Sequence, residues 1–439
     1  MSAVSDIGLL LGLVLLIVLT VRGVDLLIAA PLCALLVAVT SGFVLFPSPA
    51  TGDQPVYTTA YLGEFTRFIT AWFFLFLLGA IFGKVMEAAG SAASVARWII
   101  NRAGAKHAVR AVVLACAALT YGGVSVFTVA FAVYPLALSL LREADVPRRF
   151  LPAALAFGSI TFTMTSAGSP EIQNLIPMKF FGTTPTAGWR VSLVVALLMA
   201  SLGFWWLERA VNRARARGEH FEARASDPPA DARELPHHLV ALLPLVAVVG
   251  IFLALAPRLA ESALIVALVA GILLVLATQW RFLRDLPGAV TAGAAGAMLA
   301  LANTSAVVGF GGVAKLTPAF AQAVGFMTSL PGSPLIGAAV AVTVIAGLTG
   351  SASGGQAIAL PVIAPHYLAQ HVNPDALHRI VSIASGGLES LPHNGYVVTT
   401  LRMICRESYR DAYPAVGMLT VVIPLLGLIV AIALFTWCA

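Results

Sequence analysis

Apolar runs of membrane-spanning length alternate with short polar breaks along almost the whole chain. Runs near 7–21, 25–46 and 69–88 predict three spans, and a short amphipathic stretch follows at 91–102. Next comes an interrupted pair, 108–119 and 126–141, around Thr120-Tyr-Gly-Gly-Val-Ser125. A second interrupted run, 150–180, is broken around Thr163–Pro170, and a full span covers 188–207. The polar stretch 208–237 separates this half from the next.

The order then recurs. Spans lie near 238–257, 262–279 and 288–308, with a short helical stretch at 313–327. A pair at 334–348 and 357–370 surrounds Thr349-Gly-Ser-Ala-Ser-Gly-Gly-Gln356, a broken segment contains 385–395, and a final span covers 413–437. Thr120 corresponds to Thr349 and Gly158 to Gly386, about 230 residues apart. The pattern predicts an all-α polytopic membrane protein built from two inverted-topology repeats, 1–207 and 238–439, joined by a cytoplasmic linker at 208–237. Each repeat has three scaffold spans, a re-entrant hairpin, a discontinuous helix and a final span.

Charge sets the orientation. If each interrupted pair returns to the side it left, each half crosses five times, and an odd number inverts the second half. With the N-terminus outside, the inner loops hold Arg22, Arg97/Arg102/Lys106, Arg142/Arg148/Arg149, six arginines in 209–233, Arg281/Arg284 and Arg402/Arg406/Arg410. The outer side keeps little beyond Arg67, Lys179, Arg190, Arg258, Lys315 and Arg379. Reading each pair as one broken crossing would put several clusters outside, so the re-entrant reading is preferred.

Composition narrows the class. The chain is 59% hydrophobic and only 10% charged, against roughly 25% charged in soluble domains, and its mean hydropathy is +0.93. Continuous runs such as 264–277 exclude an outer-membrane barrel. The net charge of +6 resides in short loops, so no nucleic-acid partner is implied. Cys33, Cys116, Cys405 and Cys438 lie singly in or beside apolar runs and read as packing residues. No cofactor or metal is expected. Nor is there a GxxxxGK[ST] loop for ATP-driven transport. The N-terminus has no basic n-region, so 7–21 reads as a retained span.

The candidate chemistry lies in the breaks, because exposed backbone and charge at membrane depth are tolerated only against protein or a water-filled cavity. The most telling is Ser385-Gly-Gly-Leu-Glu-Ser-Leu-Pro-His-Asn-Gly395. Four breaks are expected to converge, and half-helices starting after them direct free N–H groups inward, where they suit a carboxylate. No Lys or Arg lies within any break. Candidate substrate contacts are Gly122, Gly123 and Ser125 at the first tip, and Thr165, Ser166, Gly168, Ser169 and Asn174 in the first break. The second tip offers Thr349, Ser351, Ser353, Gly354 and Gly355, and the second break Ser390 and Asn394. Glu389, His393 and Glu171 are the titratable candidates for proton coupling.

Each feature also has a plainer explanation. Small-residue runs occur wherever helices touch closely, His366 suits a satisfied interface histidine, and Glu171 suits a helix N-terminal charge. Lys84 and Glu87 read as a structural pair.

At 349–355 and 385–395 the chain resembles the gluconate:proton symporter (GntP) family of the ion transporter superfamily. The second segment is similar to the branch that includes hydroxybutyrate-type permeases, where Asp is expected at the position of Glu389. The resemblance implies proton-coupled uptake of a small hydroxy-carboxylate across the bacterial inner membrane. It also implies a homodimer in which a mobile domain carrying both hairpins makes an elevator-like motion.

Three rivals differ in class. Sodium could replace the proton, held by hydroxyls, amides and carbonyls of Ser351, Ser353 and Asn394. A passive anion channel shares the pattern. An intramembrane protease using Ser353 and His393 would leave the first hairpin unexplained, so the chain is expected not to be an enzyme.

Overall fold

A computed structural model describes residues 2–48, 52–104, 107–225, 227 and 234–437. Lys106, Arg233 and Cys438 lie outside these residues. The described chain is helical, and seven of its helices are long and apolar enough to cross a membrane.

Three helices open the chain: α1 (Ser2–Val21), α2 (Leu26–Thr40) and α3 (Tyr57–Ala88). The amphipathic α4 (Ser91–Ala103) follows, then the hairpin arms α5 (Ala108–Tyr121) and α6 (Val126–Glu143). At 14 residues, α5 is about 21 Å long, short of a hydrocarbon core of about 30 Å. Next, α7 (Leu151–Ala156) runs through a π turn at Phe157–Thr161 into the first break, from which α8 (Ile172–Phe181) emerges. The long α9 (Trp189–Ala216) extends well into the polar stretch 208–237, because its Glu, Arg and Ala residues favour helix. Among the described residues of that stretch, those beyond Ala216 are non-helical.

The same order returns in α10 (His238–Leu259), α11 (Ser262–Gln279), α12 (Leu286–Ala314), α13 (Pro318–Thr328) and the hairpin α14 (Pro334–Thr349) and α15 (Ala352–Ala369). Then α16 (Pro374–Ser385) enters the second break, and α17 (Gly395–Val398) leaves it through a π turn at Thr399–Ile404. Finally, α18 (Tyr409–Gly417) and α19 (Ile423–Trp437) join across a third π turn.

Packing is reciprocal between the halves. Helix α2 packs on α12 and α11 on α3, while α4 packs on α10 and α13 on α1. Their counterparts α3 and α12 lie against each other, as do α9 and α19. The α3–α12 contact is close because α12 is lined with small residues. A Cβ at Gly293 would lie 2.8 Å from Ile81 Cα, and one at Gly312 would lie 2.5 Å from the Ala60 carbonyl. Tyr61 donates to the Ala306 carbonyl across the same interface, and Lys315 pairs with Glu64.

Arginine clusters far apart in sequence meet at one end of the bundle. Arg148, between α6 and α7, donates Nε to Glu407 at 2.8 Å and Nη1 to Asp227 at 3.0 Å. All three side chains are at most 7% exposed. Arg224 also reaches Glu407, at 3.0 Å, and Arg149 reaches Glu219 at 2.8 Å. Glu219, Arg224 and Asp227 therefore strap both halves together. Burial opposes ionisation of Asp227, but the Arg224 amide and the Arg148 guanidinium outweigh it and hold the carboxyl below its ordinary value. Lys84 and Glu87 pair at 2.8 Å, and Cys33, Cys116 and Cys405 are buried and unbridged.

Candidate functional site

Each hairpin tip meets the break of its own half, and the two breaks meet each other. The first tip is a two-glycine turn, Gly122-Gly123, with Gly123 at φ 88°. Both face α10: a Cβ on Gly122 would lie 2.7 Å from Leu245, and one on Gly123 would lie 3.2 Å from Val248. Ser125 precedes α6 without capping it through its side chain. Beside this tip, Tyr121 donates its hydroxyl to the Ala167 carbonyl in the first break at 2.7 Å.

The first break is held open by side-chain and loop bonds. Thr165 and Ser166 return their hydroxyls to the carbonyls of Thr161 and Phe162. The amide of Ala167 donates to Ser192, and that of Gly168 (φ 82°) to the Pro185 carbonyl. Ser169 accepts, at 3.4 Å, from the amide of Glu171. Glu171 occupies the N-cap of α8 without a side-chain cap bond, a position where the helix dipole favours negative charge.

Asn174 is fully buried and all four of its hydrogen-bonding positions are used. Its Nδ2 donates to the carbonyls of Ser169 and Pro185, both at 2.9 Å. Its Oδ1 accepts from Arg379 Nη2 at 3.0 Å and from His378 Nε2 at 3.1 Å. With Nε2 as donor, neutral His378 accepts at Nδ1 from the Thr183 hydroxyl, 2.6 Å away. Arg379, fully buried, also donates to Thr165 and Ala187 carbonyls at 2.6 and 2.9 Å. It lies mid-way along α16. Its expected place among the outer loops is corrected by the packing of α16 against α8.

The breaks touch where Thr165 Cγ2 lies 3.2 Å from the position a Cβ would take on Gly386. In the second break, Glu389 is 6% exposed. Its Oε1 accepts from the Ser390 hydroxyl at 2.9 Å and its Oε2 from Asn394 Nδ2 at 2.8 Å. The N–H of Ala352, the first residue of α15, faces the same group. Asn394 is the hinge of this arrangement. Its Nδ2 also donates to the Gly350 carbonyl at 3.0 Å, and its Oδ1 caps α17 by accepting from Val397 N–H at 2.9 Å. His393 packs on the second tip: a Cβ at Gly350 (φ 59°) would lie 2.6 Å from its Cδ2. Its Nε2 is buried and finds no hydrogen-bond partner among the described residues.

The second tip is tighter than its sequence suggests. Only Gly350 and Ser351 are non-helical, and residues 352–356 already form the first turn of α15. Ser351 caps that turn by accepting from Gly354 N–H at 3.1 Å, while the Thr349 hydroxyl bonds back to the Ile345 carbonyl. A Cβ on Gly355 would meet Ala346 Cα at 2.5 Å, so this glycine lets the hairpin arms touch. Ser353 Oγ faces Ser351 Oγ at 3.5 Å and makes no bond to His393. His366 is exposed and pairs with Gln370, away from the breaks.

Gln173 and Gln356 also belong to this centre. Gln356 Nε2 donates to the Gln173 carbonyl at 2.9 Å, tying α15 to α8, and the Oε1 atoms of both glutamines are buried without hydrogen-bond partners among the described residues. Residue type alone does not single these out. For Arg379, the available signal was a polar pair, His378-Arg379, directly ahead of the largely apolar run 380–384 that enters 385–395.

Broken helices and hairpin tips meeting at a buried polar centre define a multi-pass membrane transporter. No family model matches the sequence. The uncharacterized transporter YxjC of Bacillus subtilis (strain 168) is 36% identical over 450 residues, covering 92% of this chain and 94% of that protein. The chain belongs to the family of that transporter. The fold is similar to the crystal structure of the Alcanivorax borkumensis YdaH transporter, with a TM-score of 0.51 at 17% identity, covering 94% of this chain and 97% of that one.

Proposed function

We propose that this transporter is a proton-coupled symporter that imports a small hydroxy-monocarboxylate, of the gluconate or 3-hydroxybutyrate type, across the bacterial inner membrane. The observation that carries the reading is the position of Glu389. A buried carboxylate spans the junction of hairpin tip and break, held by Ser390, Asn394 and the first amide of α15. An ionised group there is costly, so its protonation is coupled to the geometry of tip and break. The amino-terminal ends of α8 and α15, tied together by Gln356, favour an anion beside it.

The reciprocal packing supports two inverted repeats, 1–207 and 238–439. Convergence of the arginine clusters with Glu219, Arg224 and Asp227 supports a shared cytoplasmic side. The hairpins and broken helices pack mainly on one another, and α1–α3 pack with α10–α12, which supports an elevator-like motion of one body against the other. A homodimer of such units completes the reading, in line with the resemblance to gluconate:proton symporters.

Sodium coupling is the second reading, favoured by the unpartnered Oε1 atoms of Gln173 and Gln356, which are suited to a hard cation. Uptake of gluconate or 3-hydroxybutyrate into proteoliposomes, driven by an imposed pH gradient with and without sodium, separates the two. Accumulation should follow the pH gradient. Uptake that follows sodium and ignores pH would refute proton coupling.

A further inference from the structure

None of the four breaks contains a cation, yet the fold delivers one to them. The Arg379 guanidinium is fully buried, and its acceptors are neutral: the carbonyls of Thr165, Pro185 and Ala187, and Asn174 Oδ1. Among the described residues no carboxylate pairs with it, and Asp375, one turn earlier on α16, is exposed. A buried charge without a counter-ion is costly, and bonds to neutral oxygens offset only part of that cost. The Thr165 carbonyl that takes its shortest bond belongs to the residue in contact with Gly386, where the two breaks meet.

We propose that Arg379 is the positioning residue and fixed counter-charge of the anion site. Through Thr165 it holds the first break unwound, and its unpaired charge selects a carboxylate bound where the breaks meet. Asn174 and His378 orient the fork, because both Asn174 Nδ2 protons are committed to carbonyls and its Oδ1 is thereby turned toward Arg379. The guanidinium is buried behind Thr165, so it acts at a distance. At an effective dielectric of about 20, a unit charge within about 10 Å changes the affinity for an anion by about tenfold or more. The proposal rests on the carboxylate-transport reading and adds to it the residue that sets charge selectivity.

The test compares wild type with Arg379→Lys, Arg379→Gln, Asn174→Asp and Asn174→Leu, using gluconate and 3-hydroxybutyrate uptake into proteoliposomes together with thermal unfolding. Arg379→Gln removes the charge. Asn174→Asp leaves the arginine in place but sets a carboxylate against it; it also loses both Nδ2 donations, so it is read beside Asn174→Leu, which loses them without adding a charge and should shift KM far less. The two charge-neutralising variants, Arg379→Gln and Asn174→Asp, should raise KM for the transported acid about tenfold or more, with a much smaller change in maximal rate. Arg379→Lys, which keeps the charge and loses the fork, should lower Tm while holding KM within about threefold of wild type. Lower Tm with unchanged KM in the charge-neutralising variants overturns the proposal and leaves Arg379 a structural staple. Wild-type protein that takes up neither acid overturns the carboxylate reading instead.

Discussion

Replacing Asn394 by Asp changes one atom type and should disrupt the junction of break and tip. The native amide makes three bonds: Oδ1 from Val397 N–H at 2.9 Å, and Nδ2 to the Gly350 carbonyl at 3.0 Å and to Glu389 at 2.8 Å. Asp keeps the helix cap, since Asn and Asp cap equally well. It loses both donations and turns an oxygen toward two acceptors. Leaving a buried acceptor unsatisfied costs about 1–3 kcal/mol, so the two together cost about 2–6 kcal/mol. Repulsion between two carboxylates adds to this at high pH. At low pH a proton shared between them restores one donor. Thermal unfolding of the purified protein in detergent should therefore show Asn394→Asp destabilised strongly at pH 8 and much less at pH 5. Asn394→Ala, which loses the cap as well but adds no second carboxylate, should show a weaker pH dependence. An aspartate variant as stable as wild type at pH 8, or equally destabilised at both pH values, refutes this account of the junction.

Other consequences can be checked separately. Glu389→Gln should weaken pH-driven accumulation more than substrate exchange in proteoliposomes; equal loss of both would mean a role in folding or binding. Gly350→Ala forces a side chain into φ 59° and against His393, and should lower both Tm and uptake, while Gly182→Ala, at φ 65° with open space around it, should cost only the backbone strain of about 1–2 kcal/mol. Arg148→Ala removes the buried arginine shared by Glu407 and Asp227, which keep Arg224 and Arg142 respectively, and should destabilise by about 1.5–3 kcal/mol in denaturation experiments. Because Asp227 is held below its ordinary value of 3.8, its contribution is present above that value and is lost as pH falls through its depressed folded value. A wild-type stability that does not fall in acid while Arg148→Ala remains destabilised would contradict that assignment.

Much of the fold was legible because its signals are local. Helix α11 occupies 262–279 as the apolar run predicts, and the first tip falls at Gly122-Gly123, where two adjacent glycines end a helix. Bounds slipped where chemistry is ambiguous. Helix α3 begins at Tyr57, twelve residues ahead of the apolar run at 69, since Thr, Glu and Arg can continue a helix that hydropathy alone would truncate. Helix α9 runs on to Ala216 for the same reason, and α15 opens at Ala352 because Ser351 caps a turn of small residues that reads as a loop. Among site residues, Glu389, His393 and Asn394 stood out as polar groups in an apolar run. Arg379 did not, and was assigned to an outer loop.

Period and punctuation in the chain thus determined the helices, the four breaks and their order, because span length, glycine, proline and capping act within a few residues. Tertiary structure alone decided which breaks meet and what charge they share. Arg379 reaches Asn174 across 205 positions, and Arg148 reaches Glu407 across 259. Such pairs cannot be read from either segment alone. A buried guanidinium and a loop guanidinium have the same side chain, and only the helices packed around it remove the water.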